Sequence, residues 1–385
     1  RLHEWLQLLA LEDDTAVRIF LRDRKIPEDE IDALLPRARG LLETVLTATP
    51  GPTVTTFHGW FLDLLKRAPL EAGLPWGAPL LEREKQLQNE VRDRVLAQWA
   101  AAPDSPEGAA LLALLSDIGE HNLRALLKHF IAARAEWWAI TDSRTDAVGH
   151  ALGLLREVLC ADLDADPVAG FWADDLMAAR VKRVGLALEK GSETERKKGL
   201  AIQHAVASTD FDALRRKILK ADGGRLASKA TKGLLGALGS EADSFLRDYD
   251  TLETALKTIA ATQTDQRIWQ LNRHGLLLGH AFLLAYQEAK AQQGVIDFAD
   301  VEWLACRLLA SEEHAPGLAL KLDARYRHLL LDEFQDTNPL QWQALSTWLT
   351  EARAADSEMT VFMVGDPKQA IYRFRRGEAR VFDAA

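Results

Sequence analysis

The stretch His328-Leu329-Leu330-Leu331-Asp332-Glu333-Phe334-Gln335-Asp336 decides how the chain is read. Leucines run directly into an acidic pair. A short continuous apolar run ahead of a polar turn predicts a buried parallel strand. The carboxyl end of that strand presents Asp332 and Glu333 where open α/β sheets bind their ligands. Thr360-Val361-Phe362-Met363-Val364 repeats the design and is followed by Gly365-Asp366-Pro367-Lys368-Gln369. Two buried strands that each deliver an acid at the tip predict neighbours in one sheet. Between them, Asn338-Pro339 reads as a cap followed by proline at the first helical position. Leu340, Leu345, Trp348 and Leu349 then form one face of the crossover helix.

Working outward, Asp297 is placed to cap a helix whose apolar face includes Val301, Leu304 and Leu308. Near the start, Trp5, Leu6, Leu8 and Leu9 suggest an amphipathic helix, and Pro27-Glu28-Asp29-Glu30 opens another with acids in its first turn. Pro50-Gly51-Pro52 breaks the helical pattern. The β-branched run Thr53-Val54-Thr55-Thr56 predicts a third buried strand, leading into Phe57-His58-Gly59-Trp60-Phe61 and a helix through Leu62, Leu64 and Leu65. From about residue 77 to about 290 nearly everything reads as helix. The expected organisation is therefore a first sheet-domain part over 1–76, a helical insertion over 77–290, and a second sheet-domain part over 291–385. The fold class is α/β, a partial parallel sheet with a large all-helical insertion, helix-dominated overall.

Composition bounds the rest. The chain has 385 residues and 48% hydrophobic residues, enough for a sizeable core. No apolar run is long enough to span a membrane, and no signal peptide opens the chain. The two cysteines, Cys160 and Cys306, form no metal spacing and fit a reducing cytoplasm. The formal net charge is −10, so a nucleic-acid partner needs a local basic surface. Residues 181–232 supply one candidate: thirteen Lys or Arg against six acids leave +7. Gly191, Gly199, Gly223 and Gly224 predict loops there. Arg215, Arg216 and Lys217 are candidate phosphate contacts within it; a solvated, mobile surface is the competing reading. The sequence starts at Arg1 rather than Met, and Ala385 follows closely on a motif, which predicts a piece of a longer protein.

The residue types at the strand tips suit phosphoryl transfer. An Asp in that position can hold Mg²⁺, largely through water, and an adjacent Glu can orient or deprotonate an attacking water. Gln335 and Gln369, which both donate and accept hydrogen bonds, suit sensing of a γ-phosphate. Taken alone, an Asp-Glu after a strand reads as a helix cap or a solvated turn. Tyr372-Arg373-Phe374-Arg375-Arg376 interleaves aromatics with arginine, a stacking platform with phosphate contacts of the kind single-strand binders use. A half-buried strand with aromatics inward is the alternative. His58 has no ligand-spaced partner and fits a loop hydrogen bond better than a metal.

Taken together these stretches resemble the superfamily 1 DNA helicases of the UvrD/RecB/AddA kind. Leu331-Asp332-Glu333-Phe334-Gln335-Asp336-Thr337-Asn338 resembles their Walker B motif, and Val364-Gly365-Asp366-Pro367-Lys368-Gln369-Ala370-Ile371-Tyr372-Arg373-Phe374-Arg375 their third motif. Thr56-Phe57-His58-Gly59 resembles a DNA-contact motif, and Asp297-Phe298-Ala299-Asp300 a signature upstream of Walker B. The Pro367-Lys368 wording leans towards the RecB/AddA branch. The resemblance implies a RecA-like motor domain of the P-loop NTPase type, interrupted by a helical insertion. It implies hydrolysis of Mg²⁺-ATP coupled to 3′-to-5′ movement on single-stranded DNA at a duplex junction, in recombination or double-strand-break repair in the cytoplasm, with a RecC/AddB-like partner subunit. By motif position Asp332 serves Mg²⁺ and Glu333 the water, while Gln335 and Gln369 couple phosphate state to DNA grip. Tyr372 and Phe374 stack on bases, Arg375 contacts the strand, and Thr56 and His58 touch its backbone.

Two features depart from the family pattern. Arg376-Gly377-Glu378 stands where Gly-Ala-Asp is common, and no Gly-x-x-x-x-Gly-Lys-Ser/Thr occurs, so the phosphate-cradling Walker A loop is expected upstream of Arg1. This chain by itself is therefore expected to be inactive. The second functional reading is a non-catalytic DNA-binding or interaction subunit that retains the helicase fold.

Overall fold

The computed structural model describes residues 2–49, 51–67, 77–142, 144–159, 162–220, 230–311, 326–354 and 359–366, with the single positions 313, 317, 322, 368 and 381. The chain divides into two compact units, one formed by Arg1–Glu82 with Gly294–Ala385 and the other by Arg83–Gln293.

The first unit opens with α1 (Leu2–Leu11), α2 (Asp14–Asp23) and α3 (Glu28–Thr47). The sequence reading did not separate α2 from α1. Asp13 makes the break, because its carboxylate accepts the amide of Ala16 and starts a new helix. Arg39 of α3 reaches back to the Asp14 carboxylate and to the Leu9 carbonyl, closing the three helices on one another. The run Thr53–Thr56 is not a strand: it has no regular structure and is exposed, with Val54 84% accessible. β-Branched residues favour strands only where neighbours cover the pleat.

The unit's core is built from α4 (Phe57–Arg67), α15 (Phe298–Ala310) and α16 (Pro339–Ala354). Phe61, Leu64, Leu65, Val301, Leu308, Leu345 and Trp348 are all buried, each contributing roughly 1.5–3 kcal/mol. The Trp60 and Trp348 rings meet at 5.7 Å. β1 (His328–Leu331) and β2 (Thr360–Met363) pair in parallel, with Leu330 opposite Phe362, and α16 is the crossover between them. Neither strand is buried as expected: Leu330 is 74% and Phe362 64% exposed. A two-stranded sheet hides an apolar side chain only where a second layer covers that face, and none of the described residues does so here.

The second unit is built of helices joined by short turns among its described residues. α5 (Glu84–Ala101), α6 (Pro106–Ala132), α7 (Arg134–Thr141) and α8 (Ala147–Val158) come first. α9 (Pro167–Ala173), α10 (Asp175–Glu189), α11 (Glu193–Ala207), α12 (Phe211–Ile218) and α13 (Lys232–Leu238) follow. Ser105, Asp166, Asp174, Ser192 and Asp210 each cap the helix they precede, accepting first-turn amides that would otherwise lack partners. α6 kinks at Gly119, where φ +75° and ψ 167° form a backbone geometry that only glycine adopts freely.

The 52-residue α14 (Ala242–Gln293) is the spine, about 78 Å long at 1.5 Å per residue. Its first half packs Phe245, Tyr249, Leu252 and Leu256 into a core with Val184, Ile202, Leu214 and Leu234. Its second half buries Gly275, Leu278, Gly279, Phe282 and Tyr286. Gly279 lies so close to Phe130 of α6 that an added Cβ would fall 2.5 Å from the ring. Residues 260–274 between the two halves bury no side chain.

Candidate functional site

β1 delivers its acids into a short 3₁₀ turn, Phe334–Asp336. The turn is pinned from both strands: Val364 donates its amide to the Leu331 carbonyl at 2.8 Å, and Phe334 donates to the Val364 carbonyl at 2.9 Å. Asp332 is exposed and accepts the amide of Glu333 at 3.0 Å through one oxygen, leaving the other open to solvent. Glu333 adopts a left-handed conformation, φ 52° and ψ 39°, which costs a non-glycine residue on the order of 1–3 kcal/mol and is held only where the surroundings over-determine it.

Gln335 supplies that constraint. Its side chain, 2% exposed, donates to a Glu333 carboxylate oxygen at 2.5 Å and accepts the Asp366 amide at 3.0 Å. One amide group therefore ties the Glu333 carboxylate to the chain leaving β2. Asp366 in turn accepts the Lys368 amide at 2.9 Å. Asp336 completes the acidic group. Its Oδ1 is buried without a hydrogen-bond partner, and burial, followed by the charge of Glu333, holds its carboxyl above the ordinary range.

Beyond the turn, Asn338 begins α16 by a reciprocal cap. Its Oδ1 accepts the Gln341 amide at 2.8 Å, and its own amide donates to Gln341 Oε1 at 3.3 Å. The Asn338 side-chain amide donates to Glu302 of α15, a carboxylate only 2% exposed. Asp297 and Asp300 form a capping box at the start of α15, as the sequence predicts for Asp297. Glu302 escaped the sequence reading. Its signal is an acid lying between Phe298 and Cys306 at four-residue steps on one stripe of the helix.

Thr56 and His58 lie at the start of α4. The Thr56 hydroxyl accepts the Gly59 amide at 3.2 Å, so its first role is a cap. His58 is half-buried, its ring edge-on to Phe298 at 5.1 Å. Gln369, Tyr372, Phe374 and Arg375 lie outside the described residues.

The basic window belongs to the second unit, and its described residues are largely helical rather than loop-rich; Gly223 and Gly224 lie outside the described residues. Glycine serves close packing here: a Cβ on Gly199 would meet the Gly185 carbonyl oxygen at 2.5 Å. Much of the window's charge is spent internally. Arg183 pairs with Asp248 at 2.7 Å, Lys190 with Glu241 at 2.8 Å and Lys197 with Glu193 at 2.8 Å. Burial lowers the Lys198 amine below its usual range, against the pull of Glu195, and that amine donates to the Tyr249 hydroxyl at 2.8 Å. On α12, Arg215 is half-buried and 3.5 Å from Asp212, an ion pair without hydrogen-bond geometry, whereas Arg216 and Lys217 are exposed.

Among the described residues no group of three or more His, Cys, Asp or Glu side chains is arranged to hold a metal ion. No described helix is long and apolar enough to cross a membrane.

The UvrD/REP helicase N-terminal domain matches residues 30–385. A protein of Moorella thermoacetica, named as the A component of an ATP-dependent helicase/nuclease, is 27% identical over 358 residues, covering 86% of this chain and 25% of that protein. A protein of the same name from Levilactobacillus brevis is 31% identical over 191 residues, covering 47% of the chain and 15% of that protein. Another from Desulfitobacterium hafniense is 41% identical over 118 residues, covering 29% and 8%. The chain thus spans between 8% and 25% of the length of these relatives.

Proposed function

The chain belongs to the UvrD/REP helicase N-terminal domain family, and from that premise we propose that it forms the water-activating and DNA-gripping part of an ATP-driven DNA helicase acting in DNA repair. The observation that carries the reading is Glu333: a strained backbone at a strand tip, with its carboxylate fixed by a buried glutamine that also holds the segment after β2. Left-handed non-glycine residues cluster at functional sites; Lys25 and Thr209 share the conformation in ordinary turns, so the tie through Gln335 is what sets Glu333 apart. In this reading the first unit is the RecA-like, P-loop NTPase-type motor domain, and the second is its helical insertion.

The donor set at the tip fits Mg²⁺. A single exposed carboxylate with one free oxygen, Asp332, suits a cation that keeps several waters and takes its remaining ligands from phosphate oxygens. When bound, Mg²⁺ would offset the charge of the transferring phosphate. Glu333 accepts the proton of the attacking water or orients that water by its fixed lone pairs. Gln335 holds Glu333 in place, and with Gln369 it reports the presence of the γ-phosphate along the chain to Tyr372, Phe374 and Arg375. Those three grip single-stranded DNA through stacking and a phosphate contact, and Thr56 and His58 touch its backbone. Arg215, Arg216 and Lys217 meet the duplex ahead of the junction. Movement is 3′-to-5′, the setting is cytoplasmic double-strand-break repair, and the partner is a RecC/AddB-like protein; the relatives' name, which makes each of them one component of a helicase/nuclease, supports an assembly of this kind.

The test is Glu333→Gln in the full-length protein. It keeps size and hydrogen bonding but removes the base, so ATP binding persists while hydrolysis falls by about 10²–10⁴-fold. Wild-type turnover in that variant refutes the assignment.

A further inference from the structure

We propose that α15 is a relay: it transmits occupancy of the Thr56–His58 segment to the carboxylate turn, with Glu302 as the positioning residue at its output. This rests on the reading of Thr56–His58 as a DNA contact and of Glu333 as the residue that directs water.

Phe298, Glu302 and Cys306 are spaced by four and so lie on one stripe of the helix. Each engages the unit at a different point. Phe298, about half exposed, meets the His58 ring at 5.1 Å. The buried Glu302 accepts the side-chain amide of Asn338. The buried Cys306 thiol donates to the Leu340 carbonyl at 3.3 Å, and burial, reinforced by the charge of Glu302, pushes it up to about 12, so it remains a neutral donor. The stripe therefore joins the start of α4 to the first residues of α16.

From Asn338 the connection runs back to the acids without a slack residue. Asn338 is locked by Gln341 on both its backbone and its side chain. Thr337 donates its amide to the Phe334 carbonyl at 3.0 Å, and Asp336 donates to the Glu333 carbonyl at 2.9 Å. Thr337 and Gln335 are each 2% exposed. A shift of α15 cannot be absorbed within so tight a turn; it is delivered to the left-handed Glu333.

The placement of Glu302 also argues for a role beyond stability. Its hydrogen-bond partner among the described residues is the neutral amide of Asn338. Burying a carboxyl on so little compensation is unfavourable compared with an apolar residue of the same reach. Cohesion alone would be served better by leucine. What leucine cannot do is grip Asn338.

The experiment is steady-state ATP hydrolysis by the full-length protein, with and without saturating oligo-dT, for Glu302→Leu, Glu302→Gln and Phe298→Ala. The expected result for Glu302→Leu and Phe298→Ala is an about 10-fold fall in the ratio of DNA-stimulated to unstimulated kcat, a usual size for coupling between sites. KM for ATP should hold, and because both rates come from the same folded population, a drop in melting midpoint from the orphaned Asn338 amide leaves the ratio untouched. Glu302→Gln, which keeps an acceptor for Asn338, should retain most of the stimulation. An unchanged ratio in Glu302→Leu overturns the relay, as does a Glu302→Gln variant as impaired as Glu302→Leu. Glu333→Gln measured alongside separates the failures. If it is inactive while Glu302→Leu behaves as wild type, only the relay falls; if Glu333→Gln itself turns over normally, the underlying assignment falls.

Discussion

Replacing Glu195 with alanine removes the carboxylate that fastens two helix starts of the second unit together. That carboxylate accepts the amide and hydroxyl of Ser192 at 2.9 and 2.8 Å, and the amide and hydroxyl of Thr231 at 3.1 and 3.0 Å. Ser192 caps α11 and Thr231 caps α13, so one side chain serves both. In Glu195→Ala the hydroxyls can rotate to other acceptors, but the two amides are orphaned at about 1–3 kcal/mol each. With partial recovery by water at a side chain that is 9% exposed, the expected loss is about 3 kcal/mol, and Glu195→Gln should lose about half of that. The pH dependence has a definite sign. Burial pushes the Glu195 carboxyl up, but the bonds from Ser192 and Thr231 outweigh it and hold the group below its ordinary 4.5. A depressed carboxyl contributes stability that is fully present above its unfolded value and is lost as pH falls through its folded value. The gap between wild type and Glu195→Ala should therefore be constant at neutral pH and close progressively below about 4.5. Urea denaturation followed by circular dichroism, with amide exchange at Thr231, measures both effects. Equal midpoints at pH 7, or a gap that does not narrow in acid, refute the reasoning.

Gly199→Ala should lower the melting midpoint by forcing α10 and α11 apart, since its Cβ would fall 2.5 Å from the Gly185 carbonyl oxygen; a cost of about 1–3 kcal/mol is expected, and an unchanged midpoint would show that the helices yield. Neutralising Arg215, Arg216 and Lys217 together should flatten the salt dependence of duplex binding. The slope should drop by up to about 3, near 0.9 for each of the three cations lost; an unaltered slope means that α12 is a solvated face. Phe374→Ala should weaken oligo-dT binding by about 1–3 kcal/mol if the ring stacks on a base, and fluorescence anisotropy that registers no change returns it to the core.

The pairing of β1 with β2 was legible because each strand pairs an apolar run with an acid at its end, a pattern that depends on local sequence alone. The same holds for the caps at Asp297 and Asn338, where a short side chain reaches an amide two or three residues on. What failed depends on neighbours that a local pattern cannot specify. Thr53–Thr56 has strand composition, but no adjacent strand among the described residues. The strand leucines read as buried, yet Leu330 projects from a face without a covering layer. Gly199 signals a loop only if glycine is read as a breaker; on α11 it permits a close approach to Gly185.

Glu302 marks the boundary between the two kinds of failure. An acid on the apolar stripe of α15 contradicts the helix's own pattern, so the anomaly was visible in the sequence even though its meaning was not. The partner that explains it, Asn338, stands 36 residues away and across a strand. Asn338 had already been assigned a sufficient local role as a cap. Because the side chain carries both an acceptor and a donor, that assignment accounted for only half of it. The Oδ1 caps α16, while the amide remained to be placed. A buried polar side chain whose local role uses only some of its hydrogen-bonding groups implies a distant partner for the rest. In this chain that accounting leads from the cap of α16 to the only other described helix that both buries an acid against that cap and touches His58.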